Sequence, residues 1–485
     1  MRSRPTTSLE AALLALLGLL TSTCSGDRAA AAGDGHEVVL EAAGPDAEAP
    51  EATPAEPTRL YLRTASVDIT PGLGTVLGGY GPPGGTRKAT GVNDPLLATA
   101  ALFTNDAGQA LLLISADLEG WSADQADTGP GLRDVRAAVV DALADAVPLT
   151  AAQVLVGASH SHSATDMMGF WQKKNTPIPQ SQLEQHRAWL VQLALAAASA
   201  QAVEVRLATG SSLLSGYTTR DQACSPELDE AVGVLQARRA IDGEPALTVV
   251  SFAMHPTLLG VGNRKVSADF VWGLRTELEA ATGAPMLYLQ GFEAAVHEGP
   301  ALEALPGEPG SFERAYAMGQ VVADAVLTTL PSLVESTDAG LESRASAVDC
   351  PLTGELLIAA IERFGVPFRT WYKTEQGYTV PGVEVSWHRL GPAELIAFPG
   401  EGSPGYARKL RALVASPLAL PVSQGNDALG YLVDPDEIAA DTTGQLAANE
   451  LKMGLGAGGG PCVWDAQAAL GWFGGAWRSP GTPRR

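Results

Sequence analysis

Positive charge is scarce in this chain. Lys and Arg total 32 against 54 Asp and Glu, a formal net charge of -22 with a pI near 4.7. That balance excludes a nucleic-acid partner, because phosphate binding needs Lys and Arg to displace counterions, and it describes an acidic, self-solubilising surface instead. Cysteine is scarcer still: Cys24, Cys224, Cys350 and Cys462, with no Cys-x-x-Cys spacing, which excludes a disulfide scaffold. One bridge at most is expected, and Cys350 with Cys462 could form it in an exported protein. No repeat of solenoid period is present. The glycine-rich stretch Gly78-Gly79-Tyr80-Gly81-Pro82-Pro83-Gly84-Gly85 is followed by no Lys-Ser or Lys-Thr and lacks the strand-turn-helix frame of a phosphate cradle. Its glycines point instead to a loop pressed close to something, with backbone at positive φ.

What is present is a globular composition, 46% hydrophobic and 18% charged with mean hydropathy +0.07, in 485 residues, more than one ordinary core requires. Arg2 and Arg4 precede the apolar run of residues 11–20, which is too short for a confident membrane span and reads as an export signal over residues 1–24. Two outcomes stay open. Cys24 stands where a lipoprotein signal places its acylated cysteine, and residues 29–32 offer an ordinary cleavage site. The expected location is outside the cytoplasm: secreted, periplasmic, or lipid-anchored to a bacterial envelope through Cys24. Residues 25–57 are Ala, Gly, Pro and acidic residues with too little apolar surface to fold, a flexible tether. Residues 58–485 are the folded domain.

Within that domain one local grammar recurs. Residues 110–117 form an apolar run ending in Asp117; Leu132, Val135, Val139, Leu143 and Val147 then follow at helical spacing; and Val154–Ala158 is a second apolar run ending in His160 and His162. Strand, helix, strand at this interval implies a crossover and an α/β fold: a mixed, partly parallel sheet with flanking helices and a ligand site at the strands' carboxyl ends. Residues 183–200 read as a further helix. Later apolar runs deliver His255, then Gln290 and Gly291, then Glu401, and residues 422–431 close the series at Tyr431. If Val154–Ala158 continues extended, its period of two places His160 and His162 on one side, where they could share one divalent cation, or one could bind it while the other moves protons.

A catalytic zinc takes about three protein ligands and keeps a position for water, whose pKa it lowers to about 7. His160, His255 and Glu401 supply such a set, with His162 as proton donor to a leaving group and Arg220 available to steady negative charge. His297 and His186 are rival ligands; His186, mid-helix among polar neighbours, is expected to be exposed. The bland reading of His160-Ser161-His162 is a pair of polar residues opening a serine-rich loop.

The ordered series Asp68-Ile69-Thr70-Pro71, Gly79-Tyr80-Gly81, Ser115-Ala116-Asp117, Ala158-Ser159-His160-Ser161-His162-Ser163 and His255-Pro256 resembles the neutral/alkaline (non-lysosomal) ceramidase family over about residues 60–435. The resemblance implies one zinc held by His160, His255, Glu401 and Tyr431, proton transfer by His162, a substrate-side Arg220, and hydrolysis of the amide of N-acylsphingosine. Three departures mark this chain as divergent. His297 stands in place of a serine that would steady the carbonyl oxygen, Thr442 and Thr443 stand where a second substrate-side tyrosine is expected, and the sequence stops at Arg485 without an immunoglobulin-like C-terminal domain. The expected partner is a lipid-like acyl amide. The alternatives are a non-catalytic, metal-binding surface descendant of the fold and a zinc hydrolase of another acyl amide or ester. The glycine-rich ending with Trp464, Trp472, Phe473 and Trp477 is expected to cap the core rather than meet lipid.

Overall fold

Apolar runs decide where strands form, and their flanks decide how the strands pair. The computed structural model describes residues 58–80, 84–125, 128–220, 228–359, 361–362, 370–375, 377–440, 450–452 and 454–471. The export segment, the tether with Cys24, and Cys224, Thr442, Thr443 and Trp472 onward therefore lie outside the described residues.

The main sheet is built from β1 (Leu60–Asp68), β2 (Leu97–Asn105), β3 (Ala110–Ala116), β4 (Val154–Ala158), β5 (Val203–Leu213), β6 (Ala231–Arg239), β7 (Pro245–Phe252) and β8 (Met286–Gln290). Its order is β8-β7-β6-β5-β1-β2-β3-β4, with β9 (Val334–Ser336) beside β5. The centre is antiparallel, and each end closes with a parallel pair, β7 with β8 and β3 with β4. Every residue of β3, β4 and β8 is buried, which is why these segments read as unbroken apolar runs rather than alternating ones. One face is covered by α1 (Leu132–Leu143), α2 (Gln180–Ser199), α3 (Phe270–Thr282) and α4 (Phe312–Thr329), whose apolar stripes join a single core with it.

The opposite face packs on a second sheet: β10 (Leu341–Leu352), β11 (Gly377–Leu390), β12 (Ala393–Ala397) and β13 (Leu418–Val422), with Tyr372–Thr374 added beside β11. Leu111, Leu113, Leu155, Val249 and Leu289 from the first sheet interdigitate with Leu395, Ala397, Leu420 and Val422 from the second. Here too the inner pair, β12 with β13, is parallel. The far face of the second sheet is covered by α5 (Pro404–Leu413) and α6 (Gly459–Ala469), where Trp464 stacks on Tyr406 with centroids 5.0 Å apart. The described part of the aromatic tail thus caps the core. The layering is helix, sheet, sheet, helix, an α/β fold with mixed sheets as expected. No helix among the described residues is long and apolar enough to cross a membrane.

Cys350, on β10, is bonded to Cys462, on α6. Tying positions 112 residues apart removes about 4–5 kcal/mol of loop-closure entropy from the unfolded chain, and it pins the capping helix to its sheet.

One expectation is corrected here. His186 is 3% exposed, not solvated: its Nδ1–H donates to the Gln182 carbonyl at 2.8 Å and its ring packs edge-on to Trp121 and Trp189. The polar neighbours in sequence lie on other faces of α2. Burial holds its pKa down at about 4, and His388, wholly buried between the Ser343 and Ser386 hydroxyls and near Arg136, is held at about 3. Both folded values lie below the ~6.5 of an unfolded chain, so between them the unfolded state binds more protons. Stability is therefore expected to be complete above about pH 6.5 and to fall as the pH drops toward 4, by about 3 kcal/mol for each histidine. Thermal unfolding scanned from pH 7.5 to 4 checks this, and His388→Gln should flatten the profile.

Candidate functional site

The parallel strand pairs of the two sheets end side by side, and their carboxyl ends supply the polar groups. The edges are laced together there: the Ser423 N–H donates to the Gln290 carbonyl at 2.9 Å, and Asn426 both donates to the Val156 carbonyl and accepts from its N–H, at 2.8 and 2.9 Å. Non-glycine residues at positive φ gather at this seam, with His160 at 65°, Ala295 at 55°, Gln424 at 53° and Asn426 at 63°. Such backbone is uncommon and persists where surrounding contacts over-determine it.

His160 and His162 do meet, but not by the alternation expected from sequence. The strand stops at Ala158, and the left-handed turn at His160 folds the chain back so that the two Nε2 atoms lie 3.4 Å apart. The Nδ1–H of His160 donates to the Glu119 carbonyl at 2.5 Å. His255, three residues past β7, uses its Nδ1–H to reach the Val296 carbonyl at 3.0 Å. Both rings therefore present a bare Nε2 to the same atom, Glu401 Oε2, at 3.6 Å from His160 and 3.0 Å from His255.

Two imidazole lone pairs and a carboxylate oxygen cannot share a buried space unless something positive lies between them. Donor atoms around a first-row ion at about 2.1 Å stand about 3.0–3.5 Å apart, close to the 3.0 and 3.6 Å that separate Glu401 Oε2 from the two Nε2 atoms. The ligating atoms of His160, His162 and His255 lie within 4.8 Å of one another, as do those of His160, Glu293 and Glu401, so these groups could hold a metal. Without a cation a proton takes the place. Burial opposes charge on His160, but Glu401 outweighs it and lifts the pKa to about 10; burial likewise opposes charge on Glu401, yet His160 and His255 draw it down to about 2. His255, desolvated and only partly helped by Glu401, falls to about 4.

His162 is set by the glycine-rich loop. A Cβ on Gly79, at φ 92°, would lie 2.2 Å from the His162 ring, so only glycine lets the loop pass. Tyr80 packs edge-on to that ring with centroids 4.8 Å apart, and Arg87 donates to the carbonyls of His162 and Gly78 at 2.7 and 2.6 Å. Burial, reinforced by the charge of His160, pushes the His162 pKa well below its ordinary value, and its Nδ1 has no hydrogen-bond partner.

Tyr431 is the register partner of Glu401 in a short parallel ladder, which puts both side chains on one face, and its ring stands edge-on to His255 at 6.1 Å. His297 lies on a strand, Val296–Glu298, and stacks on His255 at 4.7 Å. Arg220 is paired across from Val296, but its guanidinium is buried against Glu437 at 3.1 Å and is not among the residues that line the cavity. That cavity is lined by His160, His162, His255, Glu401 and Tyr431 together with apolar side chains that include Met168, Phe170, Trp171, Leu357 and Trp371.

Two acids were not singled out from sequence. Glu293, three residues past β8, is fully buried, and neither carboxylate oxygen makes a hydrogen bond of normal geometry; burial raises its pKa to about 8. Glu119 lines the cavity, buried with Oε2 unpartnered, and burial raises it well above the carboxylate range. Each follows a strand end by three residues, the same offset as His255, and that offset was the signal available.

No protein-family model matches the chain, and among curated proteins none is significantly similar in sequence. Solved structures do match. The crystal structure of neutral ceramidase from Pseudomonas aeruginosa superposes with a TM-score of 0.65 at 17% identity, over 86% of this chain and 74% of that one. A ceramidase complexed with C2 gives 0.64 at 18% identity with the same coverage. The chain has the neutral ceramidase fold, as the motif series led us to expect.

Purified protein is expected to retain one divalent cation that is lost in Glu401→Ala and His255→Ala. The loss of affinity should exceed the ~10–100-fold typical of removing an outer hydrogen-bond partner, measured by competition against a chromophoric chelator.

Proposed function

We propose that this protein is a zinc-dependent hydrolase of lipid-like N-acyl amides, with ceramide as the first substrate to try. One observation carries the reading: two imidazoles, each with Nδ1–H tied to a carbonyl, aim their Nε2 atoms at one buried carboxylate, and all three groups line a largely apolar cavity. The ceramidase fold supports it.

His160, His255, Glu401 and Tyr431 would hold the ion. Zinc, when bound, supplies a Lewis acid for an acyl carbonyl and lowers the pKa of water to about 7. The chain's own residues do the rest. Phe170, Trp171, Leu357 and Trp371 take an acyl chain out of water, which stabilises binding by about 0.8 kcal/mol per buried methylene and fixes the carbonyl end toward the histidines. His162, kept neutral by burial, can take up a proton and hand it to the leaving amine, and the Gly79 loop with Tyr80 and Arg87 holds its ring in place for that transfer. His297, stacked on His255, offers a ring N–H where the family resemblance leads one to expect a serine hydroxyl. Arg220, buried against Glu437, braces the strand that carries His297 and acts at one remove from the substrate.

Purified protein should release labelled fatty acid from a short-chain ceramide, and a chelator should abolish the release. Gly79→Ala should lower kcat by about a hundredfold by displacing a proton-transfer group, and because its Cβ would stand 2.2 Å from the His162 ring at φ 92° it should also lower the melting temperature. Chelator-sensitive turnover of esters alone would remove the amide assignment. Bound metal without turnover of any acyl substrate would favour the non-catalytic metal-binding descendant.

A further inference from the structure

Glu293 is one of two buried acids that the proposed chemistry leaves unused, and unlike Glu119 it groups with His160 and Glu401 in a set that could hold a metal. It sits in the turn after β8, and the turn is fixed on both sides: Gly291 N–H donates to the Phe252 carbonyl at 3.0 Å, Ala294 N–H to the Gly402 carbonyl at 3.1 Å, and Val296 N–H to the Glu293 carbonyl at 2.7 Å. Ala295 at positive φ completes a backbone that aims the Glu293 side chain toward His160 and Glu401. No ion pair joins it to Lys or Arg among the described residues, and the ionisable neighbours that act on it are His160 and Glu401. A carboxyl group buried without a basic partner either keeps its proton or coordinates a cation, and ligand atoms of His160, Glu293 and Glu401 within 4.8 Å of one another favour the second. Pairing with Lys or Arg is absent.

Charge balance points the same way. A divalent cation held by neutral His160 and His255 with Glu401 would leave one unit of positive charge among buried side chains, and one further carboxylate would cancel it. We infer that Glu293 is an additional carboxylate ligand of the cation gripped by His160, His255 and Glu401. This inference rests on the metal site proposed above and deepens it. Two imidazoles and two carboxylates make a harder donor set than two imidazoles and one, so the centre should accept manganese and cobalt alongside zinc, with more than four protein-derived or water ligands in reach.

The test uses the full chain, stripped of metal and reloaded with zinc, manganese or cobalt. Affinities are measured by competition with a chromophoric chelator, and coordination is read from the visible absorption of the cobalt form. In Glu293→Gln the affinity for each ion should fall at least about tenfold, manganese most, and the cobalt bands should intensify and shift as the coordination number drops. Should Glu293→Gln fail to fold, Glu293→Asp serves, with weakened affinity and altered cobalt bands again expected. If the variant matches wild type in affinity and cobalt spectrum, Glu293 is not a ligand, while the metal-site reading stands. If wild type binds none of the three ions, the metal-site reading itself fails and this inference with it.

Discussion

Lone pairs that face each other out of reach of water repel, and in this molecule three such atoms are brought together deliberately. His160 and His255 each surrender their one N–H to a backbone carbonyl, so neither ring can relieve the conflict at Glu401 by donating to it while neutral. A positive charge between them is the remaining solution. A proton can serve, which is why His160 is held near 10 and Glu401 near 2, but a cation satisfies both rings and the carboxylate together.

The double-sheet architecture exists in a form that makes this possible. Most strand pairs are antiparallel, and those bearing the site are parallel: β3 with β4, β7 with β8, and β12 with β13. Parallel neighbours finish at the same end, so polar residues placed just beyond them converge, the general reason ligands collect at strand carboxyl termini. Stacking the second sheet on the first brings Glu401 and Tyr431 to histidines more than 140 positions earlier in the chain. The left-handed residues along the seam are the local expense of that junction, and their backbone hydrogen bonds across the sheets hold it shut.

Much of this was legible in the residues. Unbroken apolar runs at 110–117 and 154–158 announced buried strands, and the polar residue at each end announced the site, because burial on both faces leaves no other place for polarity. The motif order pointed to the fold even though identity to the matched ceramidases is only 17–18%. Other features had no local signature. The turn that joins His160 to His162 depends on φ at one residue, not on alternation. His186 looked solvated because its sequence neighbours are polar, yet a helix turns 100° per residue and hid it between Trp121 and Trp189. Glu293 and Glu119 resemble any acid in a loop until the packing leaves both oxygens of the first and Oε2 of the second without a hydrogen-bond partner among the described residues, whereas the bond from Cys350 to Cys462 was the one pairing suggested by the sequence.

The grip of imidazoles and carboxylate on one cation across the two sheets, proposed above, is open to direct measurement. Diffraction from crystals of the purified protein, collected on either side of the zinc absorption edge, measures this directly. A single anomalous peak is expected about 2.1 Å from Nε2 of His160, Nε2 of His255 and a Glu401 oxygen. An empty position there in zinc-loaded crystals, or a peak held by other residues, would contradict it.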